Sequence, residues 1–152
     1  LDADVPTAIA LKRAFAETAS VRLDATLVLY DDVAQRAYET LVSNGIHLIE
    51  QPLVRHIRVG MARLSSRGGA PIMADEAIES VEDACNMARD GAYTLCDLKI
   101  AKNGGLRAVL SSAAIAEAAV IGLYGVTMLE GGIGTLADAH AGVTLDRLAW
   151  HS

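Results

Sequence analysis

Five short runs rich in valine, isoleucine and leucine recur along the chain, at residues 20–25, 46–52, 70–75, 93–100 and 121–129. Each is too short for a buried helix and is bounded by Gly, Pro or Asp, which marks strands. The stretches between them read as amphipathic helices with usable ends. Asp4 and Pro6 open the first, which is expected to run to about residue 18. Asp31 opens the second, and Asn44-Gly45 suits a left-handed C-cap. A shorter helix is expected over 54–64. Ser80 with Asp83 resembles a capping box for the next, which Gly91 ends. Gly104-Gly105 precedes a helix to about residue 119, and the glycines at 132 and 134 precede one reaching about 145. Continuous apolar strands alternating with helices demand a parallel sheet covered on both faces, either an open doubly wound sheet or a barrel. With 152 residues and no visible linker, one domain is expected, although a closed eight-stranded barrel typically needs about 250 residues.

The ends of these strands carry charge. Asp24, Glu50, Asp75 and Lys99 each follow an apolar run, at intervals of 26, 25 and 24 residues. So regular a spacing places them at one height on adjacent strands, at the C-terminal edge where α/β folds bind ligands. Three carboxylates converging there repel unless a cation intervenes. Hard oxygen donors without convergent His or Cys suit Mg²⁺ or Mn²⁺ and disfavour zinc. Lys99 faces the same cavity, where desolvation and a nearby cation are expected to lower its pKa and fit it for proton transfer. A fifth run ends at Glu130.

Composition excludes other classes. The net charge of −6 argues against a nucleic-acid partner. No apolar stretch approaches the roughly 20 residues of a membrane helix, and the acidic start Leu1-Asp2-Ala3-Asp4 does not read as a signal peptide. Cys85 and Cys96 read as reduced core thiols in a cytoplasm. His47 and His56 are expected on the surface and His140 packed; Arg55 and Arg58 read as a solvated face, and Met61, Met73, Met87 and Met128 as core filling.

The segments LIEQPLVR, PIMADEAIESVEDA, LKIAKNGGLRAVL and GLYGVTMLEGGIGTLADAHA resemble the muconate lactonising (muconate cycloisomerase) branch of the enolase superfamily, almost from end to end. The resemblance implies a partial (β/α) TIM-type barrel over 1–152, equivalent to the third to seventh strands with their helices and without a capping domain. It implies Asp24, Glu50 and Asp75 as ligands of Mn²⁺ or Mg²⁺, Lys99 as a catalytic lysine, and Glu76 as an acid beside it. The implied reaction is cycloisomerisation of cis,cis-muconate, a small dicarboxylate, to muconolactone in catechol and aromatic hydrocarbon catabolism. Where the branch has Asp-x-Asn this chain has Asp24-Ala25-Thr26, which implies a weaker hold on the cation. The branch's Lys-x-Lys strand and its last strand are absent from the 152 residues. Negligible turnover by the chain alone is therefore expected, as is self-association or a complementary segment to cover the open edges. The alternative reading is a catalytically inert, truncated or engineered barrel fragment serving as a structural scaffold. Epimerisation or o-succinylbenzoate synthesis fits the ligand set equally but TMLEGGIGTL less well.

Overall fold

A computed structural model of the chain describes residues 4–15, 19–25, 31–125, 128–145 and 148–150. Strands and helices alternate throughout: α1 (Asp4–Ala14), β1 (Arg22–Asp24), α2 (Asp31–Ser43), β2 (Leu48–Glu50), α3 (Arg58–Ser65), β3 (Ile72–Ala74), α4 (Val81–Asp90), β4 (Leu95–Leu98), α5 (Ile100–Asn103), α6 (Leu106–Ala118), β5 (Gly122–Gly125), α7 (Gly132–Gly142) and β6 (Leu148–Trp150). The strands form one parallel sheet in the order β1-β2-β3-β4-β5-β6. An order that never reverses is that of a barrel, since a doubly wound sheet turns back at a switch point.

Curvature follows from one contact. In a flat sheet, at roughly 4.8 Å per strand, β1 and β5 would stand about 19 Å apart. The Arg22 guanidinium on β1 nevertheless lies 5.6 Å from the centre of the Tyr124 ring on β5 and donates to its hydroxyl. The sheet therefore curls around an interior.

Period-two alternation sorts each strand between two environments. Ile49, Ile72, Ala74, Cys96, Leu98 and Leu123 face outward and join the helices in the main core, with Tyr38, Leu41, Met61, Leu64, Met87, Val109 and Ala113. Leu48, Met73, Leu95 and Tyr124 form a separate small cluster on the inner face. Continuing along that face in steps of two leads from Leu48 to Glu50, from Met73 to Asp75, and from Leu95 to Asp97 and Lys99. Apolar side chains floor the interior, and charged ones rim it.

Local chemistry accounts for the element ends. Ser80 Oγ accepts from Asp83 N at 3.1 Å, and Asp83 Oδ2 accepts in return from Glu79 N at 3.2 Å and from Ser80 Oγ at 2.7 Å, which caps α4. Gly91 closes the same helix at φ 62°, a left-handed conformation that favours glycine.

Several expectations need correction. A sixth strand, β6, follows the five expected. The short helix α5 lies between the fourth strand and the helix expected after Gly104-Gly105, where no element was expected. No side chain caps the start of α3, and it begins at Arg58 rather than near residue 54. Cys85 and His140 are exposed, and Met128 is 48% exposed. The expected ends of the first helix and fifth strand, and the substituted Thr26, involve residues outside those described.

Candidate metal centre

The C-terminal ends of β1 to β4 meet at the mouth of the curled sheet. Asp24 and Glu50 are register partners on β1 and β2. Asp75 follows β3, and Asp97 lies within β4, one residue beyond the Ala74–Cys96 pair. Glu50, Asp75 and Asp97 each offer a carboxylate oxygen within 4.8 Å of the others. Two of the three expected ligands are thus in the tight cluster, and Asp97 is an addition. Asp24 is exposed at the edge of the group, close enough for its charge to act on Glu50.

Two ammoniums enter this cluster. Lys99 Nζ lies 2.8 Å from Asp75 Oδ2 and 2.7 Å from Asp97 Oδ2. Lys102 Nζ donates to Asp75 O at 2.8 Å, to Asp97 O at 3.0 Å and to Asp75 Oδ1. Four carboxylates stand against two ammoniums, an excess of two acidic groups at the mouth. Electrostatics register the excess. Burial, then the charges of Asp24, Asp75 and Asp97, push Glu50 up to about 7 despite Lys99. Burial pushes Asp97 up to about 6, against the pull of both lysines. Burial also opposes ionisation of Asp75, but Lys102 and Lys99 overcome it and hold that carboxyl below its usual range. The expectation of a lowered Lys99 pKa is corrected. Burial does act in that direction, but the carboxylates of Asp75 and Asp97 outweigh it and raise the lysine.

A surrounding frame fixes these groups. Gln51, fully buried and held at φ 37°, accepts from Asp75 N at 3.0 Å and Ala77 N at 3.1 Å. Its amide donates to Leu53 O at 2.8 Å and to the Tyr93 hydroxyl at 3.1 Å, so every donor and acceptor position of the side chain is engaged. Asn103 Oδ1 accepts from Lys99 N at 2.9 Å, while its Nδ2 donates to Ile78 O at 3.0 Å. Asp138 Oδ1, on α7, accepts from Ile100 N at 2.9 Å.

Glu76 points elsewhere. It lines a cavity of about 570 Å³ with Arg55, Asn86 and Tyr93, and its Oε2 is buried without a hydrogen-bond partner. Lys99, beside which it was expected, is engaged by Asp75 and Asp97. Asp97, Lys102 and Gln51 were missed in sequence. For Asp97 a signal existed, since it stands two residues before Lys99 and must share its face.

The donor set is all oxygen, with two acidic groups in excess and without His or Cys, which fits a hard divalent cation. Residues 1–152 match the family described as enolase C-terminal domain-like. The chain belongs to that family. Among enolase-type relatives, muconate cycloisomerase 1 of Pseudomonas putida is 57% identical over 147 residues, covering 97% of this chain and 39% of its own length. Muconate cycloisomerase 1-2 of Acinetobacter lwoffii is 39% identical over 97% of this chain and 38% of its own. The crystal structure of muconate cycloisomerase from Pseudomonas fluorescens, 60% identical, superposes with a TM-score of 0.94 over 98% of this chain and 41% of that one. The chain therefore spans about two fifths of the length of these relatives.

Proposed function

We propose that the chain carries the cation site and a proton-transfer lysine of a cycloisomerase acting on muconate or a close dicarboxylate. One observation carries the reading. Three carboxylates and Lys99 converge on a single sheet mouth, with Asp24 in register beside Glu50, in a chain 57% identical to muconate cycloisomerase 1 of Pseudomonas putida. In this reading Asp24, Glu50 and Asp75 hold Mn²⁺ or Mg²⁺. Asp97, fully buried and 2.7 Å from Lys99, acts as the counter-charge of the lysine. When bound, the cation supplies Lewis-acid stabilisation of the negative charge that develops on a substrate carboxylate.

Lys99 is the proton-transfer group that this chain itself contributes. The substrate's other carboxylate oxygen adds to the double bond, forming a C–O bond, and the π electron pair takes a proton from the Lys99 ammonium. The product is a monoanionic lactone, the substrate dianion plus one proton, and Lys99 recovers its own proton from solvent. In reverse, the Lys99 amine removes the proton as the C–O bond breaks. The floor of Leu48, Met73 and Leu95 excludes water beneath the reacting atoms. Glu76 stays outside reach of the cation. The two free thiols suit a reducing cytoplasm.

The test is calorimetric titration of the chain with Mn²⁺, then with muconolactone in the presence and absence of Mn²⁺. Asp24→Asn, Glu50→Gln and Asp75→Asn are expected to abolish or severely weaken Mn²⁺ binding. Asp97→Asn and Glu76→Gln are expected to retain it. Loss on Asp97→Asn with retention on Asp24→Asn would reassign the third ligand. Muconolactone binding that ignores the cation would end the cycloisomerase reading. Absorbance assays with cis,cis-muconate are expected to show negligible turnover by the 152 residues alone.

A further inference from the structure

The two lysines at the mouth are held in different ways. Lys99 reaches the cluster through side chains only, Asp75 Oδ2 and Asp97 Oδ2. Two of the three acceptors of the Lys102 ammonium are main-chain carbonyls, Asp75 O at 2.8 Å and Asp97 O at 3.0 Å, and the third is Asp75 Oδ1. An ammonium has three donors, so Lys102 is saturated, and most of its bonds go to backbone that cannot swing aside. Its base is equally fixed. The turn of α5 that carries it is pinned at Lys99 N by Asn103, at Ile100 N by Asp138, and at Ile78 O through the Asn103 amide. The side chain of Lys102 is 9% exposed.

This arrangement makes the two oxygens of Asp75 unequal. Oδ1 is tied to an ammonium anchored to the ends of two strands, whereas Oδ2 meets only Lys99. We propose that Lys102 is a positioning residue that clamps Asp75 Oδ1 to the frame, so that Oδ2 alone is presented to a divalent cation. The inference rests on the metal-binding reading of the site and deepens it. A ligand carboxylate held by a rigid outer partner loses little freedom on binding a cation, and removal of such partners typically weakens binding about 10–100-fold. The opposite role is also physically possible: a positive charge beside the site repels a cation, and its removal then tightens binding. Geometry favours the clamp, because only one of the three acceptors of Lys102 is a carboxylate oxygen.

Mn²⁺ affinity measured by electron paramagnetic resonance separates the two roles. Lys102→Met is expected to weaken Mn²⁺ binding by ten-fold or more, and Lys102→Arg, which keeps charge and donors, to recover most of it. Unchanged or tighter binding by Lys102→Met overturns the proposal while leaving the metal site intact. If the unaltered chain binds no Mn²⁺, the metal reading fails and takes this inference with it. Should Lys102→Met not fold, as judged by circular dichroism, the comparison is read from Lys102→Gln, which drops the charge and keeps two donors. There too a ten-fold loss supports the clamp, and equal or tighter binding overturns it.

Discussion

Gln51 uses both ends of its amide to hold the rim of the sheet. It lies one residue beyond Glu50 and bonds the backbone of Asp75, so it couples two of the charged strand ends. Its left-handed φ of 37° is uncommon for a residue with a side chain and is tolerated because four hydrogen bonds over-determine it. Gln51→Leu would leave the half-buried Asp75 N and Ala77 N without that acceptor. A loss of about 3 kcal/mol is expected in urea unfolding, together with weaker Mn²⁺ binding. Glu50 gives a pH dependence at the same scale. Its folded pKa of about 7 exceeds its ordinary 4.5, so in metal-free chain the folded state binds more protons than the unfolded state between those values. Stability should therefore fall as pH rises from about 4.5 to 7. Asp97, raised from 3.8 to about 6, acts with the same sign. Urea midpoints measured in EDTA across this range check the slope, and Glu50→Gln should flatten it. A midpoint that climbs with pH would contradict the assignment.

At the scale of elements, α4 and β4 show which local signals are self-sufficient. The Ser80–Asp83 pair and Gly91 are readable from spacing, because capping needs only atoms within one turn. Ser80→Ala should cost about 1 kcal/mol in thermal or chemical unfolding. The short α5 is less legible. Its helical turn depends on Asn103 and on Asp138, which lies 38 positions from its partner Ile100. Strand β4 shows alternation deciding chemistry: Cys96 faces the helices, where burial pushes its thiol up to about 12, and Asp97 faces the interior. Cys85 is exposed on α4. A thiol reagent at neutral pH should therefore modify Cys85 alone in native chain, with Cys96 reacting only on unfolding. Rapid modification of both would mean that β4 is not covered as described.

For the molecule as a whole, the curl of the sheet turns four strand ends into one site. In the proposed reading the cation is held by groups from neighbouring strand ends, which only folding brings together, so Mn²⁺ should raise the thermal midpoint with concentration. Asp75→Asn is expected to remove that shift, which a thermal melt with and without Mn²⁺ would show. The sequence by itself determined the strand–helix alternation, the caps of α4, and the regular interval that puts Asp24, Glu50, Asp75 and Lys99 at the same edge. All of these depend on period and on neighbours close in the chain. Only the tertiary structure decided between an open sheet and a barrel, brought Arg22 to Tyr124, added Asp97 and Lys102, and placed Glu76 in the lining of a second cavity. Those outcomes depend on strand order and on the direction in which side chains project once the sheet has curled. They are set by contacts between residues dozens of positions apart, which no local pattern encodes.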